Sequence, residues 1–120
     1  MPLSSHWHRR VLVVRDSGED MRKILHAATV QALVSGPFAI HRRQVFGEAF
    51  GGYLLIHLPT QVPIIHLDRL RDCRTAAAEL AALNIRWWTC IPQEVRGPDT
   101  PRLSGVLDRW RPCNGVGTGW

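Results

Sequence analysis

The stretch GEDMRKILHAATVQALVSGP, residues 18–37, decides how the rest of the chain assembles. Met21, Ile24, Leu25, Ala28 and Ala32 recur at helical spacing, with Arg22, Lys23 and Gln31 elsewhere around the helix. Asp16 and Glu19 have the spacing of a capping box, Asp20 adds negative charge near the helix start, and Gly36-Pro37 is a stop signal. The pattern predicts a helix over residues 18–35. Before it, RRVLVVR (9–15) is a β-branched run that reads as a buried strand.

After it, FAIHRRQVF (38–46) and YLLIHL (53–58) read as strands joined by a turn within GEAFGG (47–52). VPIIHL (62–67) fits either an extension of the third strand past Pro59 or a separate edge strand, where Pro63 is tolerated. In DRLRDCRTAAAELAALN (68–84), Leu70, Cys73, Ala77, Leu80 and Ala81 share a helix face, with Asp68 as the expected cap and Asn84 as the end. IRWWTCI (85–91) reads as a strand stopped by Pro92. Strand, helix, strand, strand, helix, strand is the ferredoxin-like βαββαβ order: an α+β fold with two helices on one face of an antiparallel sheet. Residues 1–95 make up this domain in the sequence reading. Residues 96–120 add a short C-terminal helix and a glycine-rich tail. Thr100 is that helix's expected cap, Pro101 its first residue, and Leu103, Val106, Leu107 and Trp110 its apolar stripe.

The totals narrow the class. With 120 residues, 45% hydrophobic and 21% charged, the chain has enough apolar material for one packed domain. No apolar run approaches the roughly 18–20 residues that cross a bilayer, and the N-terminus lacks a secretory pattern, so the expectation is a cytoplasmic protein without a membrane partner. Cys73, Cys90 and Cys113 are widely spaced and contain no CxxC pair, which argues against a disulfide framework. The net charge of +5 favours polyanionic partners, RNA or DNA among them. Lys23 is the only lysine, an arginine bias that composition alone can produce.

Alternation along the expected hairpin directs attention to one face. If Leu54, Ile56 and Leu58 face the core with Phe38, Ile40 and Phe46, then His41, Arg43, Tyr53 and His57 share the opposite face. In that register His41 lies opposite His57, Arg43 opposite Leu55 and Val45 opposite Tyr53, while Arg42 and Gln44 fall on the core side. FGGYLLIHL (50–58) resembles the third-strand signature of RNA-recognition motifs in its glycines, the aromatic residue after them and the alternation. The basic residue before the first glycine is absent, and Tyr53 is the only expected aromatic present. Trp87 and Trp88 are adjacent on the last expected strand, so one indole belongs on each face.

Three functions follow in order. The first is a small non-enzymatic interaction or regulatory module that self-associates, as a homodimer or with a protein partner, through the open sheet face. The second is a nucleic-acid-binding protein. The candidate contacts for either are Arg9, Arg10, His41, Arg42, Arg43, Tyr53, His57, Trp87, Trp88 and Trp110. The third is a small cofactor-free enzyme with His41 or His57 as base, in a pocket between the sheet and the C-terminal helix. No catalytic motif, cofactor motif or complete metal-ligand set is visible. The HxH of His6 and His8 supplies two ligands where a site needs more.

Overall fold

The structure is a computed structural model that describes residues 6–15, 27–45 and 48–110. These residues form five strands, β1 (His8–Arg15), β2 (Ala27–Ser35), β3 (Phe38–Val45), β4 (Glu48–His57) and β5 (Val62–Leu67). Two helices follow, α1 (Leu70–Ala81) and α2 (Thr100–Trp110), with a short 3-10 turn at Pro92–Glu94 between them. The strands make one antiparallel sheet in the order β1-β2-β3-β4-β5. The fold is α+β, but it is not the ferredoxin-like βαββαβ arrangement: the strand count and order differ, and both helices follow the sheet.

The first correction falls in residues 27–35, expected to be helical. Val30, Ala32 and Val34 are buried while Thr29 and Gln31 are exposed, a period of two. Ala28 and Ala32 are four apart, which keeps them on one face of a helix or of a strand, so their spacing does not discriminate. Gly36-Pro37 is the two-residue loop of the β2–β3 hairpin, with Ser35 paired to Phe38. Gly36 has φ 57°, at the central position where a II′ loop needs positive φ. The capping pattern of Asp16 and Glu19 and the rest of the expected helix lie outside the described residues, as does Phe46.

The second correction concerns the glycine-rich stretch. Residues 48–52 belong to β4 and are not a turn. The register shifts between Arg42 and Gln44, which pair with Tyr53 and Ala49, so Gly51 and Gly52 form a bulge inside the strand. Gly52 has φ 84°. Phe38 pairs with His57, Ile40 with Leu55 and His41 with Leu54, a three-residue displacement from the expected register. An odd displacement moves every side chain to the other face. Of the two readings of 62–67, the structure shows the separate edge strand.

The third correction is 85–91, which joins no strand. It lies over the sheet, with Ile85 and Trp87 buried in the same cluster as Phe38 and Leu55. Loop bonds fix it: Arg86 N–H donates to Arg96 O at 2.9 Å, and Asn84 N–H donates to Asp99 Oδ2 at 2.8 Å.

The sheet carries a buried cluster on each face. On one, Phe38, Ile40, Leu55, Ile65 and Leu67 meet Cys73, Ala76, Ala77 and Leu80 of α1 and Leu103, Val106 and Leu107 of α2. The helix faces read from the sequence are therefore the ones that pack, although the residue at the α1 N-cap position is Arg69 and no side chain caps that end. On the other face, Leu12, Val14, Val30, Ala32, Val34, Ala39, Leu54 and Ile56 form a cluster made of strand residues alone. Gln61 Nε2 in the β4–β5 turn donates to Val13 O of β1 at 3.1 Å, so the sheet coils around this second cluster.

His57 fastens the helix-side layer. Its Nε2–H donates to the Trp87 carbonyl, and the Thr60 hydroxyl donates to its Nδ1 at 2.7 Å. Thr60 Oγ1 also accepts from Val62 N–H at 3.2 Å. The ring thus ties the β4–β5 turn to the 85–91 segment. Burial holds its pKa below the ordinary histidine value, with the bond to the Trp87 carbonyl opposing that shift. A neutral ring in the native state and a protonated one in the unfolded chain give stability that is complete above about pH 6.5 and lost as pH falls below it. Urea midpoints are expected to drop from about pH 7.5 to about pH 5.5, and His57→Gln to make that slope shallower while costing about 2 kcal/mol at neutral pH. Gly97 packs against the backbone of Asn84 and Ile85, where an added Cβ collides with Asn84 O. Gly97→Ala is expected to lower stability by about 2–4 kcal/mol, read from the same urea transitions.

Candidate functional site

The structure disperses the expected contact residues. Arg9 and Arg10 are exposed on β1 and, being consecutive, point to opposite faces. Arg42 is exposed and lies over the half-buried Tyr53 ring, 5.5 Å from its centroid. Arg43 lies in β3, its side chain outside the described residues. His41 and His57 are on opposite faces, not paired across the hairpin as expected. Trp87 is buried edge-on against Phe38, with ring centroids 5.0 Å apart, whereas Trp88 is 71% exposed. Trp110 Nε1–H donates to Glu79 Oε2 at 2.5 Å, a contact that joins α2 to α1. Two groupings emerge, Arg42 with Tyr53 and His57 with Trp87, but the described side chains make no single basic and aromatic face.

A different surface is left bare. The helices pack on β3, β4 and β5, which leaves the outer face of β1 and β2 uncovered by either helix. Val11 and Val13 are 63% and 59% exposed there, beside the exposed Thr29 and Gln31. The sequence reading placed 9–15 as a buried strand; half of it is, since Leu12 and Val14 point inward. Alternation identifies the two sides but not how many are covered. The two sheet edges also differ. β5 carries Pro63, which has no N–H to offer a neighbour, while β1 holds no proline or glycine.

On the inner side the coiled sheet borders a half-open cavity of about 750 Å³, between β1, β4, the β4–β5 turn and Pro92. Val14, Leu54, Ile56 and Val62 supply apolar walls, and His41 is among the lining groups. His41 is buried, and its Nδ1–H donates to Arg42 O at 2.6 Å. That bond fixes the neutral tautomer, with the lone pair on Nε2. Burial lowers its pKa, and the backbone bond opposes the shift. This pocket lies on the opposite face from the one expected between the sheet and the C-terminal helix.

Other chemistry is sparse. Among the described residues, no group of three or more His, Cys, Asp or Glu is placed to hold a metal ion. No helix among them is long and apolar enough to cross a membrane. Cys73 is buried, and its thiol is pushed up to about 12, first by burial and then by Asp72. Cys90, expected on a central strand, is exposed on the loop. Native alkylation with iodoacetamide is therefore expected to modify Cys90 and spare Cys73, as read by peptide mass mapping. No family model, curated protein or solved structure matches the chain.

Proposed function

We propose that the protein is a small non-enzymatic interaction module that self-associates through the β1 edge and the bare face beside it. The observation that carries this reading is the exposure of Val11 and Val13 on an edge strand. Covering a side chain of this size is worth about 1.5–3 kcal/mol, and an unpaired strand edge is a template for another strand. A second copy fits the edge by charge. A two-fold antiparallel pair centred on Val11 sets Arg9 opposite Val13 and Arg10 opposite Leu12, so no arginine meets an arginine. Centring it on Leu12 would oppose Arg9 and Arg15. The first register also continues the antiparallel sheet across the axis. The exposed Gln61 bond to Val13 O exchanges for a backbone bond in that arrangement.

Light-scattering mass measured over a series of protein and salt concentrations tests the reading. The expected result is a concentration-dependent rise from 13.6 kDa to twice that value, insensitive to added oligonucleotide. Val11→Lys places a charge on the solvent side of the edge and is expected to hold the chain monomeric with an unchanged circular dichroism spectrum. A monomer at every concentration overturns the proposal. A rise seen only with oligonucleotide, and lost at high salt, replaces it with the nucleic-acid reading.

A further inference from the structure

The β4–β5 turn holds one residue against its own preference. Among the described residues, Gln61 is the non-glycine residue with a left-handed backbone, φ 58°, a region that strains a long side chain. Bonds within the turn impose that conformation. Gln61 N–H donates to His57 O at 2.6 Å, and Val62 N–H donates to Thr60 Oγ1 at 3.2 Å. The Thr60 hydroxyl is itself tied to the buried His57 ring. The turn is thus anchored in the helix-side layer. From it the exposed Gln61 side chain reaches Val13 O, 48 residues away in sequence.

Val13 lies on the edge strand β1, and its carbonyl accepts from a group outside the β1–β2 pairing. In the self-paired edge centred on Val11, Arg9 of a second copy stands opposite Val13. Its backbone N–H takes the same carbonyl. The glutamine amide and the second copy therefore compete for one acceptor, twice over in a two-fold pair. Covering an edge with a loop is one way proteins keep sheet edges from joining. We infer that Gln61 is an autoinhibitory latch on the β1 edge: its amide covers Val13 O in the single chain, and pairing proceeds by its release. The latch rests on the self-association proposed above and sets its threshold. Its bond is exposed, so it weakens pairing without abolishing it. The anchored turn holds the amide in place beforehand, so little conformational freedom is lost in making the bond.

The test compares the full chain with two variants. Gln61→Met keeps the side-chain length and lacks the N–H donor, and Gln61→Gly has a backbone suited to positive φ. Mass is followed by light scattering over a concentration series. The Gln61 side-chain ¹⁵N–H₂ resonances of the wild type are followed over the same series. Both variants are expected to lower the dimer dissociation constant about tenfold, the size of two modest hydrogen bonds released per dimer. The wild-type resonances are expected to move to the free-amide position in step with the rise in mass. If Gln61→Met fails to fold, Gln61→Gly and the wild-type resonances decide. Resonances that stay fixed while the mass rises overturn the latch and leave the self-association standing. So does association of the variants that is no tighter than that of the wild type. A wild type that stays monomeric while the variants dimerise upholds the latch and overturns self-association of the unaltered chain. A monomeric mass for all three proteins overturns both.

Discussion

Four consecutive residues of β4, Leu54 to His57, are all buried. A strand can hide successive side chains only when both of its faces are covered, and this requirement organises the molecule. One layer comes from α1, α2 and the 85–91 segment, the other from the sheet's own first two strands. Coiling brings β1 round to the β4–β5 turn. The half-open cavity and the bare outer face of β1 are both products of that coiling: a strand pulled inward to cover β4 on one side presents its other side to solvent.

The helical parts of this architecture were legible. The buried faces of α1 and α2 follow from Cys73, Ala77 and Leu80 and from Leu103, Val106 and Leu107, because a 3.6-residue period is hard to mistake once a helix is long enough. The strands were less legible, for identifiable reasons. Ala28 and Ala32 satisfy two periodicities, and the β-branched content of 27–35 was outweighed by the helix-like residues before it. The register of β3 against β4 was misread because both faces of β4 are apolar, and alternation specifies register only where one face is polar. IRWWTCI has strand composition, but Trp87 and Ile85 find burial over the sheet and not within it. β-propensity reports a fit to a half-buried surface, and such a surface need not be a strand.

The candidate sites were legible in a narrower sense. His41 was singled out as one of the hairpin histidines, and it does line the cavity. Its tautomer there is set by the bond to the Arg42 carbonyl, which no residue pattern announces. Val11 and Val13 belong to the run that reads as a buried strand, and their exposure depends on where two distant helices land. His57 looked like a surface ligand and is instead a buried fastener, because the odd register displacement carried it to the helix side.

The neighbour-to-neighbour strand order carries a kinetic consequence. Every sheet pairing joins strands consecutive in sequence, so no sheet contact has to close over an intervening strand. The Gln61–Val13 and His57–Trp87 bonds span 48 and 30 residues. Both separations exceed that of any strand pair, so these closures carry the larger loop-entropy cost. A nascent chain emerging from the ribosome can thus assemble its meander progressively, and its helix-side layer closes only when the segment around Trp87 has been synthesised.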